Sequence, residues 1–579
     1  MGISASIGTL TSMSDLPNER GLRELGRQID ADGGPRHGRR GKGRHRRAKR
    51  VLLVCGVVVV LLVGAVAGYA WYLNSEVHRI TVKGLTPSVV TGKDAGTENI
   101  LMVGSTSRCA LTKQTPSYGL CTEGVTGVNS DVIMILHLNP AVPSVSILSI
   151  PRDLFIPNAR ADGANKVDAA LAEGPTQLVA AIEEDFAIPI QHYVELNFDT
   201  FAAVVTALGG ITMEFPEPVF DAYSGLNVPT PGCHHLDGVQ ALQVVRARHL
   251  QYKSPTVTAT TPHTWPQETE SDLARIRRDH EFLRVLATEV SSRGLSDPLT
   301  DERLISAVAP QLTVDSGLSA TQMVDLLLTF HSVSIDSSPQ LTLPVSVSDF
   351  GSYTYEGGTY GDVEFPPEPE EQETIDQFLG VTDDTDTMAG GHLPSPGTVT
   401  VSVENGSGVY GQAGETATSL GNLGFRIVGD GTTTPVGQEA ETTVTYSSRS
   451  PGTVAAAELV ARSLSGQVIL AYGQTTNDAE VTVTTGTSFS VDATAPAPAT
   501  TTTTGVGASS AHGKGNGATT TTATTPTAVP TAASSSAGVP TATGAPSTST
   551  TAFTPPTPAN QALSPWDPRA CPAGANGSK

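Results

Sequence analysis

Five arginines, two of them beside carboxylates, are the residues of this sequence best suited to chemistry. Arg152 and Asp153 end the apolar run "VSILSIPRD", and Arg246 and Arg248 end "VQALQVVRAR". Asp272, Arg275 and Asp279 share "SDLARIRRDHEFLRVL", and Arg108 follows "NILMVGST". A guanidinium offers a planar fork that donates two parallel hydrogen bonds to a phosphate. Several arginines converging in an otherwise acidic stretch point to an anionic ligand, and pyrophosphate matches that many donors. The alternative is an internal ion-pair network, because buried charges must be either paired or ligand-bound.

The elements that must carry these residues follow from periodicity. Advancing 100° per residue along Ser271–Gly294 gathers Leu273, Ile276, Leu283, Leu286, Ala287 and Val290 on one side. Asp272, Arg275 and Asp279 fall in or beside that stripe, whereas Arg277, Glu281 and Arg284 lie opposite. Ser271 is the expected cap and Gly294 the stop. "ENILMVG", "SDVIMILHL", "SVSILSI" and "ITMEF" read as strands. "DTFAAVVTALGG" reads as a helix capped by Asp199, and Asp237 can cap a short helix that leaves through Arg246-Ala247-Arg248. Polar groups at the carboxyl ends of strands commonly line an α/β site.

The net charge of −22 is uneven. Residues 1–50 hold 12 Lys+Arg against 5 Asp+Glu, leaving 23 against 52 in the remainder. The acidic remainder excludes non-specific nucleic-acid binding, which needs a basic face. "VLLVCGVVVVLLVGAVAGYAWYL", Val51–Leu73, is 23 residues without a charge and long enough to span a bilayer. The basic run before it predicts an uncleaved signal anchor with a cytoplasmic N-terminus and everything after Leu73 outside the cell. The expected order is a basic disordered segment (1–50), the anchor (51–73), a juxtamembrane linker (74–95) and a mixed α/β domain (96–350). An acidic Pro/Gly linker (351–397), a smaller α/β domain (398–489) and a Thr/Ala/Ser/Pro-rich disordered tail (490–579) follow. Of five cysteines, Cys109 and Cys121 flank one loop and suit a disulfide, while Cys233 and Cys571 have no obvious partners. His234 and His235 read as loop residues.

Taken in order, "NILMVGSTSR", "NSDVIMILHLNP", "VSILSIPRDLFIP", "YVELNFDTFAAVVTALGGI", "HHLDGVQALQVVRARH" and "DLARIRRDHEFLRVL" resemble the LytR-CpsA-Psr family over roughly residues 98–290. "VENGSGVYGQA" resembles the C-terminal domain that accompanies this family in actinobacteria. The resemblance implies an α/β/α sandwich with a mixed central sheet. It also implies transfer of a glycopolymer, such as arabinogalactan or a capsular or teichoic-type glycan, from a polyprenyl-pyrophosphate carrier to peptidoglycan. By the same resemblance Arg152, Arg246, Arg248, Arg275 and Arg278, with Arg108, would grip the pyrophosphate. Asp131 would hold Mg2+ (or Mn2+), and Asp272 would orient the arginines or accept the proton of the attacking hydroxyl. Two positions depart from the family pattern. Thr106 stands where an aspartate is usual, leaving a hydroxyl as the second metal ligand. Asp279 stands where a glutamine is frequent. A pyrophosphatase acting on the carrier, and a non-catalytic binder of lipid-linked glycan, are the rival readings.

Overall fold

The structure, a computed structural model, describes residues 75, 77–88, 96–106, 121–123, 127–292, 312–330, 333–334, 338–347, 353–429, 432–433, 439–492 and 562–572. Val51–Leu73, Arg108, Cys109 and Gly294 lie outside the described residues. Among those described, no helix is long and apolar enough to cross a membrane.

The strands begin with β1 (His78–Ile80), β2 (Glu98–Ser105), β3 (Ser130–Asn139) and β4 (Ser144–Ser149), then the β5 (Phe155–Arg160) and β6 (Gly163–Lys166) hairpin. After α1 (Pro175–Phe186) come β7 (His192–Leu196), α2 (Phe198–Ala207), β8 (Ile211–Phe215), β9 (Val219–Asp221), β10 (Leu226–Val228) and β11 (Gly232–Leu236). Then follow α3 (Gly238–Val245), β12 (Gln251–Tyr252), α4 (Ser271–Ser292), β13 (Thr313–Asp315) and β14 (Gln340–Thr342). Seven strands build one sheet in the order β1-β13-β7-β2-β3-β4-β14. The sheet is mixed, as expected. β2 runs parallel to β7 and antiparallel to β3, and β4 is antiparallel to β3.

These directions collect the ends that matter. The carboxyl ends of β2, β4 and β7 and the amino end of β3 meet at one edge, bringing Thr106, Arg152, Asn197 and Asp131 together. Alternation along β2 sends Leu101 and Val103 into the main core, where α1 packs through Leu178, Val179 and Ile182. A second apolar cluster joins α2, α3 and α4 through Phe198, Val205, Leu242, Val245 and Phe282. Each fully buried side chain of this kind contributes roughly 1.5–3 kcal/mol.

Several local expectations change. Asn197, not Asp199, caps α2: its side chain accepts from the Thr200 N–H and Thr200 answers in a reciprocal box. Asn197 has the extended backbone a cap needs, while Asp199 sits in the first turn, where its charge complements the helix dipole. Asp237 caps α3 as expected, paired with Gln240. Ser271 is the first residue of α4 rather than its cap. His234 and His235 lie in β11 rather than a loop.

The stretch read as a linker is largely folded. Within 353–397, helix Glu370–Leu379 inserts Ile375 and Phe378 into the main core. Its acids are not a solvated run, because Asp376 accepts a two-pronged bond from Arg462 at 2.7 and 2.9 Å. Residues 398–489 form a second α/β layer with strands Thr400–Asn405, Thr442–Tyr446, Leu464–Tyr472 and Val481–Thr485. It packs on the first: Tyr446 donates its hydroxyl to the Glu184 carbonyl at 3.0 Å, and Ile469 joins the main core. The tail also departs from expectation at its end. Arg569–Ala570 is a strand on β8, and Cys571 is disulfide-bonded to Cys233. Cys121 is disulfide-bonded, and its expected partner Cys109 is outside the described residues.

Candidate functional site

A cavity of about 680 Å³ lies between the sheet and helices α2, α3 and α4. That is the size of a small-ligand pocket. Met102, Met134, Val194, Phe201, Phe282 and Leu283 make much of its wall, and Thr106, Asp131, Arg152, Arg246, Arg248, Arg275 and Asp279 add the polar part. The apolar wall comes from alternate positions on β2, β3 and β7 and from the inner stripes of α2 and α4.

Three elements deliver the four arginines: β4, α3 and α4. Arg152 follows β4 through Pro151, which cannot continue the ladder. Arg246 is the C-cap of α3, with its guanidinium 4.4 Å over the Phe198 ring. Arg248 follows two residues on, and Arg275 points inward from the second turn of α4. Asp272 ties them together. Its Oδ1 lies 3.1 Å from Arg248 Nε, 3.1 Å from an Arg275 nitrogen and 4.0 Å from Arg152 Nε. Asp153 accepts from Arg248 at 3.1 Å and from Lys166 at 2.7 Å. Arg152 is ion-paired with Asp131 and lies 3.8 Å from Asp168.

Five cations (Arg152, Lys166, Arg246, Arg248 and Arg275) therefore face five acids (Asp131, Asp153, Asp168, Asp272 and Asp279). Protonation within this set is shifted in both directions. Burial opposes ionisation of Asp153, but Arg152 and Lys166 outweigh it and hold the carboxyl below its usual range. Burial lowers the Arg152 pKa, but Asp131, Asp153, Asp272 and Asp168 outweigh it and raise it. Asp168 goes the other way: burial pushes it up to about 6 against the pull of Arg152. Burial likewise pushes Asp279 up to about 7, in spite of Arg275 and Arg278.

Asp279 is the most unusual of these groups. It is 4% exposed and lines the cavity, and neither carboxyl oxygen has a hydrogen-bond partner. Its closest cation, Arg275 Nε, is 3.7 Å away. With a folded pKa near 7 against an ordinary 3.8, the folded chain holds a proton that the unfolded chain has released between these values. The stability contributed by the neutral acid is therefore full below about pH 4 and falls away as pH rises to about 7. Asp279→Asn is expected to flatten that part of a melting-temperature profile measured from pH 4 to 8. An unchanged slope would show that Asp279 does not titrate there.

The structure brings together Arg152, Arg246, Arg248, Arg275, Asp131 and Thr106 on the cavity wall. Asp272 stands behind it as the shared counter-ion of Arg152, Arg248 and Arg275. Arg278 does not belong to the set. It is 0% exposed and donates to Glu268 at 2.7 and 2.8 Å, to Asp567 at 3.3 Å and to the Ala247 carbonyl. At 100° per residue it lies about 120° from Asp272 but only about 60° from Arg275, so it is its partners, Glu268, Asp567 and the Ala247 carbonyl, that hold it behind the Arg246–Arg248 turn and off the cavity wall. Lys166, Asp168 and Asn129 were missed by sequence reasoning. Asn129 donates to Asp168 at 3.0 Å, and its backbone donates to the Thr106 hydroxyl at 3.0 Å. No periodicity or motif in the sequence marks Lys166 or Asp168, and Asn129 is marked only by standing two residues before Asp131.

Among the described residues no group of three or more His, Cys, Asp or Glu forms a metal cage. Asp131 and the Thr106 hydroxyl on the cavity wall nevertheless fit a hard cation that keeps most of its ligands as water and phosphate oxygen, as magnesium does. The unpartnered oxygens of Asp279 leave further acceptor capacity on the same wall.

Comparison with known proteins identifies the family of the chain. The LytR_cpsA_psr family profile matches residues 72–364, and the profile described as LytR cell envelope-related transcriptional attenuator matches 398–489. LcpB of Corynebacterium glutamicum, named a probable cell wall biosynthesis protein, is 33% identical over 267 residues, 46% of this chain and 58% of LcpB. The chain thus spans little more than half of that relative's length. TagU of Bacillus cereus, named a polyisoprenyl-teichoic acid–peptidoglycan teichoic acid transferase, is 26% identical over 51% of this chain and 88% of its own. A solved LytR-Csp2A-Psr enzyme from Actinomyces oris overlaps 52% of this chain and 95% of its own at 22% identity and a TM-score of 0.39. With one profile covering half of its length and a second covering its C-terminal layer, the chain belongs to the LytR-CpsA-Psr family.

Proposed function

We propose that this chain transfers a cell-wall glycopolymer from a polyprenyl-pyrophosphate carrier to peptidoglycan, forming a phosphodiester. The observation that carries this reading is the convergence of Arg152, Arg246, Arg248 and Arg275 at the polar end of a largely apolar cavity. Such a cavity accepts a prenyl chain, and the arginines accept its pyrophosphate. The names of TagU and LcpB point the same way.

Phosphoryl transfer demands positioning and charge neutralisation more than covalent help. In the reaction the acceptor hydroxyl oxygen bonds to the phosphorus that carries the glycan. The bond from that phosphorus to the bridging oxygen breaks, polyprenyl monophosphate leaves, and a carboxylate takes the hydroxyl proton. The guanidiniums stabilise charge on the leaving phosphate. Of the two roles considered for Asp272, its three arginine neighbours favour orientation over proton transfer. Magnesium or manganese, held by Asp131 and Thr106, would supply further neutralisation of the phosphate oxygens. In the same reading Val51–Leu73 anchors the chain and the catalytic domain works outside the membrane, with no nucleic acid involved.

Incubation with lipid-linked glycan, with and without peptidoglycan, tests the proposal. Glycan attached to peptidoglycan is the expected product. Carrier hydrolysis that ignores the acceptor would make it a pyrophosphatase, and tight binding without turnover under any divalent cation would make it a binder. The glycan lost from peptidoglycan on depletion identifies the polymer, for which arabinogalactan is our expectation.

A further inference from the structure

The last described segment of the chain, 562–572, grips the arginine helix from behind. Arg569 and Ala570 pair antiparallel with Glu214 and Met213 of β8. Cys571 is joined to Cys233 on β11, 338 residues earlier. Trp566 stacks on Tyr252 with ring centroids 3.8 Å apart and planes 4° from parallel. Asp567 is wholly buried between two arginines of α4, with Oδ2 2.6 Å from Arg277 Nε and Oδ1 3.3 Å from Arg278. The Ala570 N–H donates to Glu281 at 2.8 Å.

Two features make this more than a fastened tail. The face of α4 that the segment covers is polar. Arg277 and Glu281, each 7% exposed, lie opposite the helix's apolar stripe and would be hydrated without it. The helix therefore has a surface on which it can stand alone, and the segment is an addition to it. Secondly, the contacts lead to the site. Arg278 bonds Asp567 on one side and the Ala247 carbonyl on the other, and Ala247 sits between Arg246 and Arg248. The same helix carries Asp272 and Arg275 toward the cavity.

We propose that residues 562–572 are a positioning element of the arginine site. Through Asp567 and Arg278 they hold the Arg246-Ala247-Arg248 turn in register with Asp272 and Arg275. Asp567 is thus a positioning residue and does not touch the substrate. This rests on the reading of the cavity as a prenyl-pyrophosphate site. A displacement near 1 Å of such donors costs about 10²-fold, so loss of the clasp should be felt in pyrophosphate recognition first.

The test uses the full chain in detergent with a specific protease site inserted between residues 550 and 551. Cutting leaves the peptide attached through Cys233–Cys571; cutting and reducing frees it. The probes are geranyl pyrophosphate and geraniol, which shares the prenyl chain and lacks the phosphates. Uncut protein under the same reductant controls for the bond at Cys121. It is expected to bind unchanged, because tethering keeps the peptide at high effective concentration. Freeing the peptide is expected to weaken geranyl pyrophosphate by about tenfold or more. Geraniol binding and the far-UV circular dichroism should stay as they were. Added synthetic peptide 562–572 should restore binding, and the same peptide carrying Asp567→Asn should not. Equal pyrophosphate binding after release, or parallel loss of geraniol and of secondary structure, would overturn the positioning role. Failure of the uncut protein to bind geranyl pyrophosphate would instead remove the pyrophosphate reading, and this role with it.

Discussion

Arg248→Ala is expected to lower glycopolymer transfer by about 10²–10³-fold with the fold intact. The side chain is 25% exposed and spans from Asp153 to Asp272, at 3.1 Å from each. Removing it orphans neither carboxylate. Asp153 keeps Lys166 at 2.7 Å, and Asp272 keeps Arg275 at 3.1 Å. The cost to stability is therefore small, on the order of 1 kcal/mol for a partly exposed pair. The cost to the reaction is large, because a forked donor aimed at the phosphates is gone while the acids that balanced it remain. The remaining site is more negative, which further disfavours an anionic ligand. Arg248→Lys should recover little, since an ammonium is a point charge without the fork. Transfer assays on lipid-linked glycan, with melting temperature as the control for folding, decide the matter. Transfer at the wild-type rate would remove Arg248 from the site.

Arg278→Ala should fail in the opposite way. This guanidinium is fully buried, and its loss leaves Glu268 and Asp567 facing each other out of water. Breaking such a pair costs about 3–5 kcal/mol. Burial already pushes Glu268 upward and Arg278 is its main counterweight, so the variant should also take up a proton there. The expected result is a large drop in melting temperature, and whatever fraction folds at low temperature should also bind prenyl pyrophosphate less tightly, because the link from Asp567 to the Ala247 carbonyl is gone. Selective loss of affinity with normal stability would return Arg278 to the ligand set. The pair of variants separates two arginines, thirty residues apart in sequence, that identical side-chain chemistry makes look alike.

That separation shows where reading the sequence stops. β2, β3, β4 and β8 were legible because buried strands are short apolar runs ended by turn residues. α3 was legible from its cap and α4 from its stripe, because both signals are local. The arginines of the site were legible because Arg152, Arg246 and Arg248 follow the ends of elements, where α/β sites gather, and Arg275 falls in the inner stripe of α4. Arg152, Arg246, Arg248 and Arg275 duly meet on the cavity wall. Helix Glu370–Leu379 was not legible, since its acids resemble a solvated linker until Arg462 is brought against Asp376 from 86 residues away. Lys166 and Asp168 belong to a hairpin and turn without any pattern that sets them apart.

By itself, then, the sequence determined which residues carry charge to the ends of which elements, because helix and strand periodicity act over a few residues. Which of those charges face a ligand and which are neutralised inside the protein was decided by the tertiary structure. Burial is a property of every segment that covers a side chain, and the segment may come from anywhere in the chain. Arg277 and Arg278 are buried by an aspartate 290 and 289 residues away. The low-complexity stretch that separates them gives no sign that its far end returns.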